Sequence, residues 1–188
     1  MTVIVSNPAT QTKRDVRRKI QAGAQTTPNI EVRRLTELPA DDLRPLLAES
    51  RAQGFRLLDT LMDNYANGVN RFAKPGEALF GVYHGRQLIA IGGLNRDPYV
   101  QDDARGRVRH VYVLDAWRAQ GVGKRLMQAI VDEARRSFRL LTLRTMSAEA
   151  DRFYRGLGFR AAPELEQATH YLVLSHEHRC ETDASPLG

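Results

Sequence analysis

Cysteine is almost missing: Cys180 is the only one among 188 residues, so no disulfide can form within the chain. Cys180 also sits in a polar C-terminal stretch, a poor setting for a covalent acyl-cysteine mechanism. No apolar run approaches the roughly 20 residues that cross a bilayer. Met1–Val5 is too short to serve as the apolar core of a secretory signal. The expectation is a cytoplasmic protein without membrane contact. No phosphate-binding Gly-x-x-x-x-Gly-Lys-Ser/Thr run occurs, and no Gly-x-Gly-x-x-Gly fingerprint, so neither the Walker nor the dinucleotide-binding reading applies. Standard zinc spacings are missing too. His176-Glu177-His178-Arg179-Cys180 holds metal-capable side chains, but it reads as a polar tail and no metal is expected.

What is present suits one globular domain with tails. Hydrophobic residues make up 42% and charged residues 27% of the chain, ordinary values for a soluble fold. The net charge is +6, and Lys13, Arg14, Arg17, Arg18 and Lys19 against Asp15 place +4 of it in residues 1–29. A nucleic-acid binder more often carries its basic excess on the folded surface, so nucleic acid is disfavoured as a partner. Residues 1–29 read as a flexible basic tail with a short helix around 15–22, or as a weak electrostatic contact for a partner. Residues 175–188 read as a polar C-terminal tail.

Between the tails, helix and strand patterns alternate. Residues 30–35 alternate apolar and polar as a strand does. Asp41 and Asp42 open a helix through Ser50, with Pro45 tolerated near its start. A second helix covers 55–66. Runs at 78–83 and 87–94, parted by His84-Gly85-Arg86, signal a hairpin. Residues 107–113 form a strand whose β-branched members are Val108, Val111 and Val113. Gly121 starts a helix with a stripe of Leu126, Met127, Ile130, Val131 and Ala134. A short strand follows at 140–144. A helix at 148–157 carries Ala150, Phe153, Tyr154 and Leu157 on one face, and Gly158 ends it. Strands at 159–162 and 169–174 close the domain. Hairpins among interleaved helices predict an α+β fold with a mixed sheet.

The segment from 107 to 127 carries the chemistry. A valine-rich strand runs into Arg118-Ala119-Gln120-Gly121-Val122-Gly123, and a helix follows at once. The first amides of a helix lack partners and carry partial positive charge, which suits a phosphate group. Gly121 and Gly123 let an anion approach the backbone. Arg118, Lys124 and Arg125 put cations where they oppose the helix dipole, a cost that a bound polyanion would offset. A plain turn entering a helix remains the competing reading of the loop alone.

Arg118-x-x-Gly121-x-Gly123 after such a strand resembles the Arg/Gln-x-x-Gly-x-Gly/Ala motif of the GNAT superfamily of N-acetyltransferases. Ser147-Ala148-Glu149-Ala150-Asp151-Arg152-Phe153-Tyr154-Arg155-Gly156-Leu157-Gly158-Phe159 is similar to that family's second signature, with Ser147 where an asparagine is common. The resemblance covers residues 30–174, taken as the acetyltransferase domain. It implies a GNAT-like mixed sheet of about six to seven strands with flanking helices, splayed between the strands at 107–113 and 140–144.

It also implies acetyl-CoA as co-substrate. The backbone of Val111 and Val113 would pair with its pantetheine arm. Arg118 and the turn residues Gln120, Gly121, Val122, Gly123 and Lys124 would hold the diphosphate, and Ser147 and Tyr154 would contact the cofactor. Tyr154 is the implied acid that protonates the leaving sulfur. The base is open between His110, which titrates in the useful range, and a water relay along the same strand. Asp97, Tyr99, Asp102 and Asp103, with the helical stretch at 55–72, are expected near the acceptor, where acids would attract a cationic amine. The implied activity is acetyl transfer to a primary amine, small molecule or peptide, by direct attack in a ternary complex. A non-catalytic acyl-CoA sensor of the same fold is the alternative, and a homodimer is left open.

Overall fold

The structure, a computed structural model, describes residues 30–174. The expected basic tail at 1–29, its short helix, and the tail at 175–188 with His176, His178 and Cys180 lie outside them. The described chain runs β1 (Ile30–Leu35), α1 (Ala40–Ala52), α2 (Leu57–Ala66), β2 (Ala78–His84), β3 (Gln87–Arg96), β4 (Arg105–Val113), a 3₁₀ turn (Asp115–Trp117), α3 (Val122–Ala134), β5 (Leu140–Leu143), α4 (Ala148–Gly156), β6 (Arg160–Ala161) and β7 (His170–Val173).

The seven strands form one sheet in the order β1-β2-β3-β4-β5-β7-β6. All neighbours are antiparallel except β4 and β5, which are parallel. This is the mixed α+β architecture expected from the sequence. The β4–β5 pair is registered only at Arg105↔Leu140, Gly106↔Leu141 and Arg107↔Thr142. Beyond Arg107 the two strands part, and the edge of β4 as far as Val113 has no strand beside it. Parallel strands joined by a helix need no common length, and here the shortfall opens a fork in the middle of the sheet.

The helices bury the faces that their periodicity set out. In α3, Leu126, Met127, Ile130, Val131 and Ala134 are buried, joined by Val122. Each fully buried Leu or Ile contributes about 1.5–3 kcal/mol, so this stripe anchors α3 firmly across the sheet. In α1, Leu43 and Leu46 are buried. Pro45 stands one turn further into α1 than expected, where it lacks the N–H that would pair with the Asp41 carbonyl.

Two features deform the sheet where it meets the fork. In the β3–β4 ladder, Ile91 pairs with Tyr112 and Gly93 with Arg109, so His110 and Val111 together face the single residue Gly92. This is a β-bulge, and His110 sits in it with φ of 55°, a conformation uncommon for a non-glycine residue. The bulge places Arg109 and His110 on the same sheet face. Gly93, opposite Arg109, faces Phe72: a Cβ there would lie 2.3 Å from the Phe72 ring. Phe72 meets the His110 ring edge-on at 6.3 Å. Val111 lies on the other face, against Leu126 and Ile130 around Gly92.

The loop carrying Phe72 is pinned by a buried amide pair. Asn70 Nδ2 donates to Asn95 Oδ1 (2.9 Å) and Asn95 Nδ2 returns the bond to Asn70 Oδ1 (2.8 Å). Both side chains are therefore satisfied in the core.

Candidate active site

The fork opens into a cleft of about 950 Å³, within the range of cofactor and ligand sites. It is bordered by β4 from Val108 to Val113, by Gly121, Gly123 and Lys124 at the start of α3, by Leu143 to Ser147 after β5, and by Phe153 and Tyr154 of α4.

At one end stands the glycine turn. Ala119 and Gly121 take positive φ (57° and 79°), and no side chain caps α3. Among the described residues no protein group accepts from the amides of residues 119 to 124, while the Arg125 amide returns to the Gly121 carbonyl. Six consecutive backbone donors, unpaired and gathered at a helix start, suit a diphosphate. The two glycines serve different ends. A Cβ at Gly121 would meet nothing within 4 Å, so its positive φ is what demands glycine, whereas a Cβ at Gly123 would stand 3.1 Å from the Phe153 ring.

Of the turn residues expected to touch the cofactor, Gly121, Gly123, Lys124 and Arg118 border the cleft; Gln120 and Val122 do not. Val122 is buried in the core and offers only its amide. Gln120 donates through Nε2 to the Ala116 carbonyl at 2.6 Å. The Arg118 guanidinium is engaged by the protein: Nε donates to the Val113 carbonyl (3.1 Å), Nη1 to Asp115 (3.2 Å) and Nη2 to Gln53 (2.9 Å). Arg118 thus ties the turn to the end of β4.

Along the fork, the Leu114 amide donates to the Ile89 carbonyl at 3.0 Å, which turns Leu114 and Tyr112 toward β3. Strand alternation then points the N–H and C=O groups of Val111 and Val113 into the fork. Apart from the Val113 carbonyl, taken by Arg118, this edge offers main-chain groups to an extended ligand.

At the far end stands Tyr154, held by the helix stop. The Gly158 amide donates to Arg155 O and the Phe159 amide to Tyr154 O, with Gly158 at φ of 90°. That is a Schellman stop, and its usual apolar contact is present as Phe159 against Tyr154, with ring centroids 5.7 Å apart. The Phe153 ring stands 5.2 Å from the Tyr154 ring, centroid to centroid. The phenol has no hydrogen-bond partner among the described residues, and burial pushes its pKa above the ordinary value of about 10. Ser147 borders the cleft but spends its hydroxyl on the helix: Oγ accepts from the Ala150 amide at 3.3 Å.

His110 is fixed in one tautomer by its neighbours. Its Nδ1 lies 2.8 Å from the Leu57 carbonyl, which can only accept, so Nδ1 carries the proton and Nε2 a lone pair. Nε2 is buried with no partner. Burial, helped by the Arg109 charge, pushes the pKa down from 6.5 to about 4. A folded-state pKa below the unfolded one contributes stability that is complete above pH 6.5 and lost as pH falls through about 4. Thermal unfolding across that window should show wild type losing about 3 kcal/mol more than His110→Gln. Parallel stability curves would show that the ring titrates normally.

The acids expected near an acceptor are elsewhere. Asp97, Tyr99, Asp102 and Asp103 do not border the cleft, and Asp97 is buried against Arg107, 3.5 Å from its guanidinium. The residues that border it beside the start of α2 are Phe55, Leu57, Arg109 and His110. Phe55 and Leu57 fall in the helical stretch that the sequence pointed to. Arg109 was not foreseen, because only the bulge at His110 turns it to this face. Among the described residues no group of three or more His, Cys, Asp or Glu side chains is placed to hold a metal ion, and no helix is long and apolar enough to cross a membrane.

Comparison with known proteins agrees with this geometry. The family described as "Acetyltransferase (GNAT) domain" matches residues 75–161. A protein from Exiguobacterium sp. 255-15, assigned to the acetyltransferases, is 33% identical, with 77% of this chain and 93% of that one covered and a TM-score of 0.69. Ard1 from Thermoplasma volcanium shares the fold at 17% identity, covering 78% and 98% with a TM-score of 0.57. So does a mutant AtaT toxin bound to the C-terminus of the antitoxin AtaR and acetyl-CoA, at 14% identity, 77% and 92% coverage and a TM-score of 0.58. No curated protein sequence matches the chain. With 33% identity over 77% of its length to a protein assigned to the acetyltransferases, a forked mixed sheet and an uncapped glycine turn at the fork's mouth, the chain belongs to the GNAT family of acetyltransferases.

Proposed function

We propose that the protein transfers an acetyl group from acetyl-CoA to a primary amine by direct attack in a ternary complex. The observation that carries this reading is the continuous cleft from the unpaired amides of residues 119–124, along the free edge of β4, to the Tyr154 phenol. A diphosphate on those amides places a pantetheine arm along Val111 and Val113, and its thioester near Tyr154. The AtaT structure, which has the same fold, contains acetyl-CoA.

The chain's own groups then divide the reaction. The Val113 amide donates to the thioester oxygen as negative charge develops there. His110 borders the cleft but its Nε2 is buried, so the ring shapes the wall beside the incoming amine and makes no hydrogen bond to its nitrogen. With a pKa of about 4, His110 cannot deprotonate an alkylammonium whose pKa is about 10.4. The amine therefore enters neutral and sheds its proton to water as the C–N bond forms. As the C–S bond breaks, the Tyr154 hydroxyl gives its proton to sulfur and later regains one from solvent. The net products are the N-acetyl amine and the free thiol.

Gly121→Glu tests the placement. The new side chain meets no protein atom near its Cβ, so it intrudes only where the diphosphate lies and repels it. Calorimetric titration should show acetyl-CoA binding weakened at least about 100-fold, the equivalent of one charge-assisted contact turned repulsive. Gly121→Asn, which tolerates a positive φ, controls for backbone strain. Equal affinity in the Glu variant and wild type would place the cofactor elsewhere.

A further inference from the structure

The charge on the acceptor side of the cleft has one sign. Arg109 borders the cleft half-buried, and among the described residues it makes no ion pair or side-chain hydrogen bond. Its direction is set by the bulge. Opposite Gly93 in the β3–β4 register, it shares the sheet face of His110 and Phe72, away from the Val111 and Val113 side chains that face α3. Neighbouring arginines are engaged otherwise: Arg107 pairs with Asp97 and Arg118 with Val113, Asp115 and Gln53. Among the described residues the one carboxylate bordering the cleft is Glu149, on α4, while the acids at 97–103 lie outside it. A second cation on the acceptor would therefore meet the Arg109 charge and, among the described residues, no compensating acid on this face.

We infer that the acceptor is an amine that also carries an anionic group, a carboxylate or a phosphate, and that Arg109 binds that group at the wall of the cleft. The inference rests on the acetyl-transfer reading above and names the substrate class for the same site. Arg109 borders the same cleft as Val111, Val113 and Tyr154, so one small molecule can set its anion on Arg109 and its amine toward the edge of β4. A guanidinium holds either oxyanion by two parallel N–H bonds.

Matched acceptor pairs test this with the full-length protein and acetyl-CoA, following thiol release. One arm compares an α-amino acid with its decarboxylated amine. A second compares an amino sugar phosphate with the unphosphorylated amino sugar. In wild type, kcat/KM should favour the anionic member of at least one pair by about 10- to 100-fold, the range of a charge-assisted hydrogen bond. The pair that shows it identifies carboxylate or phosphate. Arg109→Gln should bring that ratio close to one through KM, Arg109→Lys should restore part of it, and Arg109→Glu should turn the preference toward a diamine. Neutral amines turned over equally well, or a preference that survives Arg109→Gln, would overturn the assignment while leaving acetyl transfer standing. Absence of thiol release with every amine would overturn both.

Discussion

Tyr154→Phe should lower single-turnover acetyl transfer by about 10²- to 10⁴-fold while leaving acetyl-CoA affinity nearly unchanged. The phenol borders the cleft and has no hydrogen-bond partner among the described residues, so its proton is free to be given to a leaving group. Its ring is held by Phe153 and Phe159, and those contacts survive in phenylalanine, so thermal stability should barely move. Burial, which pushes the phenol above its ordinary pKa, keeps it protonated across the working pH range. It also makes the hydroxyl a reluctant acid, one that releases its proton only when a comparably desolvated thiolate forms beside it. The defect should therefore appear in the chemical step and should shrink with an acyl donor whose thiol leaves easily. Wild-type rates in the phenylalanine variant, with chemistry rate-limiting, would remove Tyr154 from the proton path.

The residues that position this chemistry were readable in the sequence where the cause is local. Gly158 followed by Phe159 is a helix stop with its apolar lock, and both contacts fall within five residues of Tyr154. Gly121 as a helix start is equally local. Even the bulge left a trace: Val108, Val111 and Val113 share the face toward α3, and the step from 108 to 111 breaks the even spacing that a regular strand keeps. A strict alternation over 107–113 hides that break, and with it the face that Arg109 takes.

What could not be read depends on distant partners. Arg118 fits the family motif as a cation for phosphate, yet its guanidinium is held by Val113, Asp115 and Gln53, the last 65 positions away in sequence. Asp97 and Tyr99 resembled an acidic rim for an amine because nothing nearby in sequence shows that Arg107 is turned inward to meet them. Ser147 precedes a helix and could cap it or touch a ligand; only the structure shows the hydroxyl turned to the Ala150 amide.

Arg107→Met should destabilise the protein by about 3–5 kcal/mol, the cost of leaving a buried charge without its partner. Arg107 and Asp97 are both almost fully buried, with side chains 7% and 3% exposed. Asp97 Oδ2 also accepts from Thr142 Oγ1 at 2.6 Å and Oδ1 from the Tyr99 amide at 3.2 Å. The guanidinium donates to the Gln167 carbonyl at 2.5 Å and lies over the Tyr99 ring, 4.7 Å from its centroid. Burial pulls the Arg107 pKa below its ordinary value, and Asp97 opposes that shift.

The location gives the cluster its importance. Arg107↔Thr142 is the last registered pair before β4 and β5 separate, so these side chains bind the two strands at the point where the fork begins. The methionine variant should lose acetyl-CoA affinity as well as stability, because the fork would no longer open at a fixed residue. Arg107→Met with Asp97→Asn should recover much of the stability, since no uncompensated charge then remains. Denaturant unfolding of the two single variants and the double variant measures the coupling. A double variant no more stable than Arg107→Met would mean that packing of the long side chain, and not its charge, holds the base of the fork.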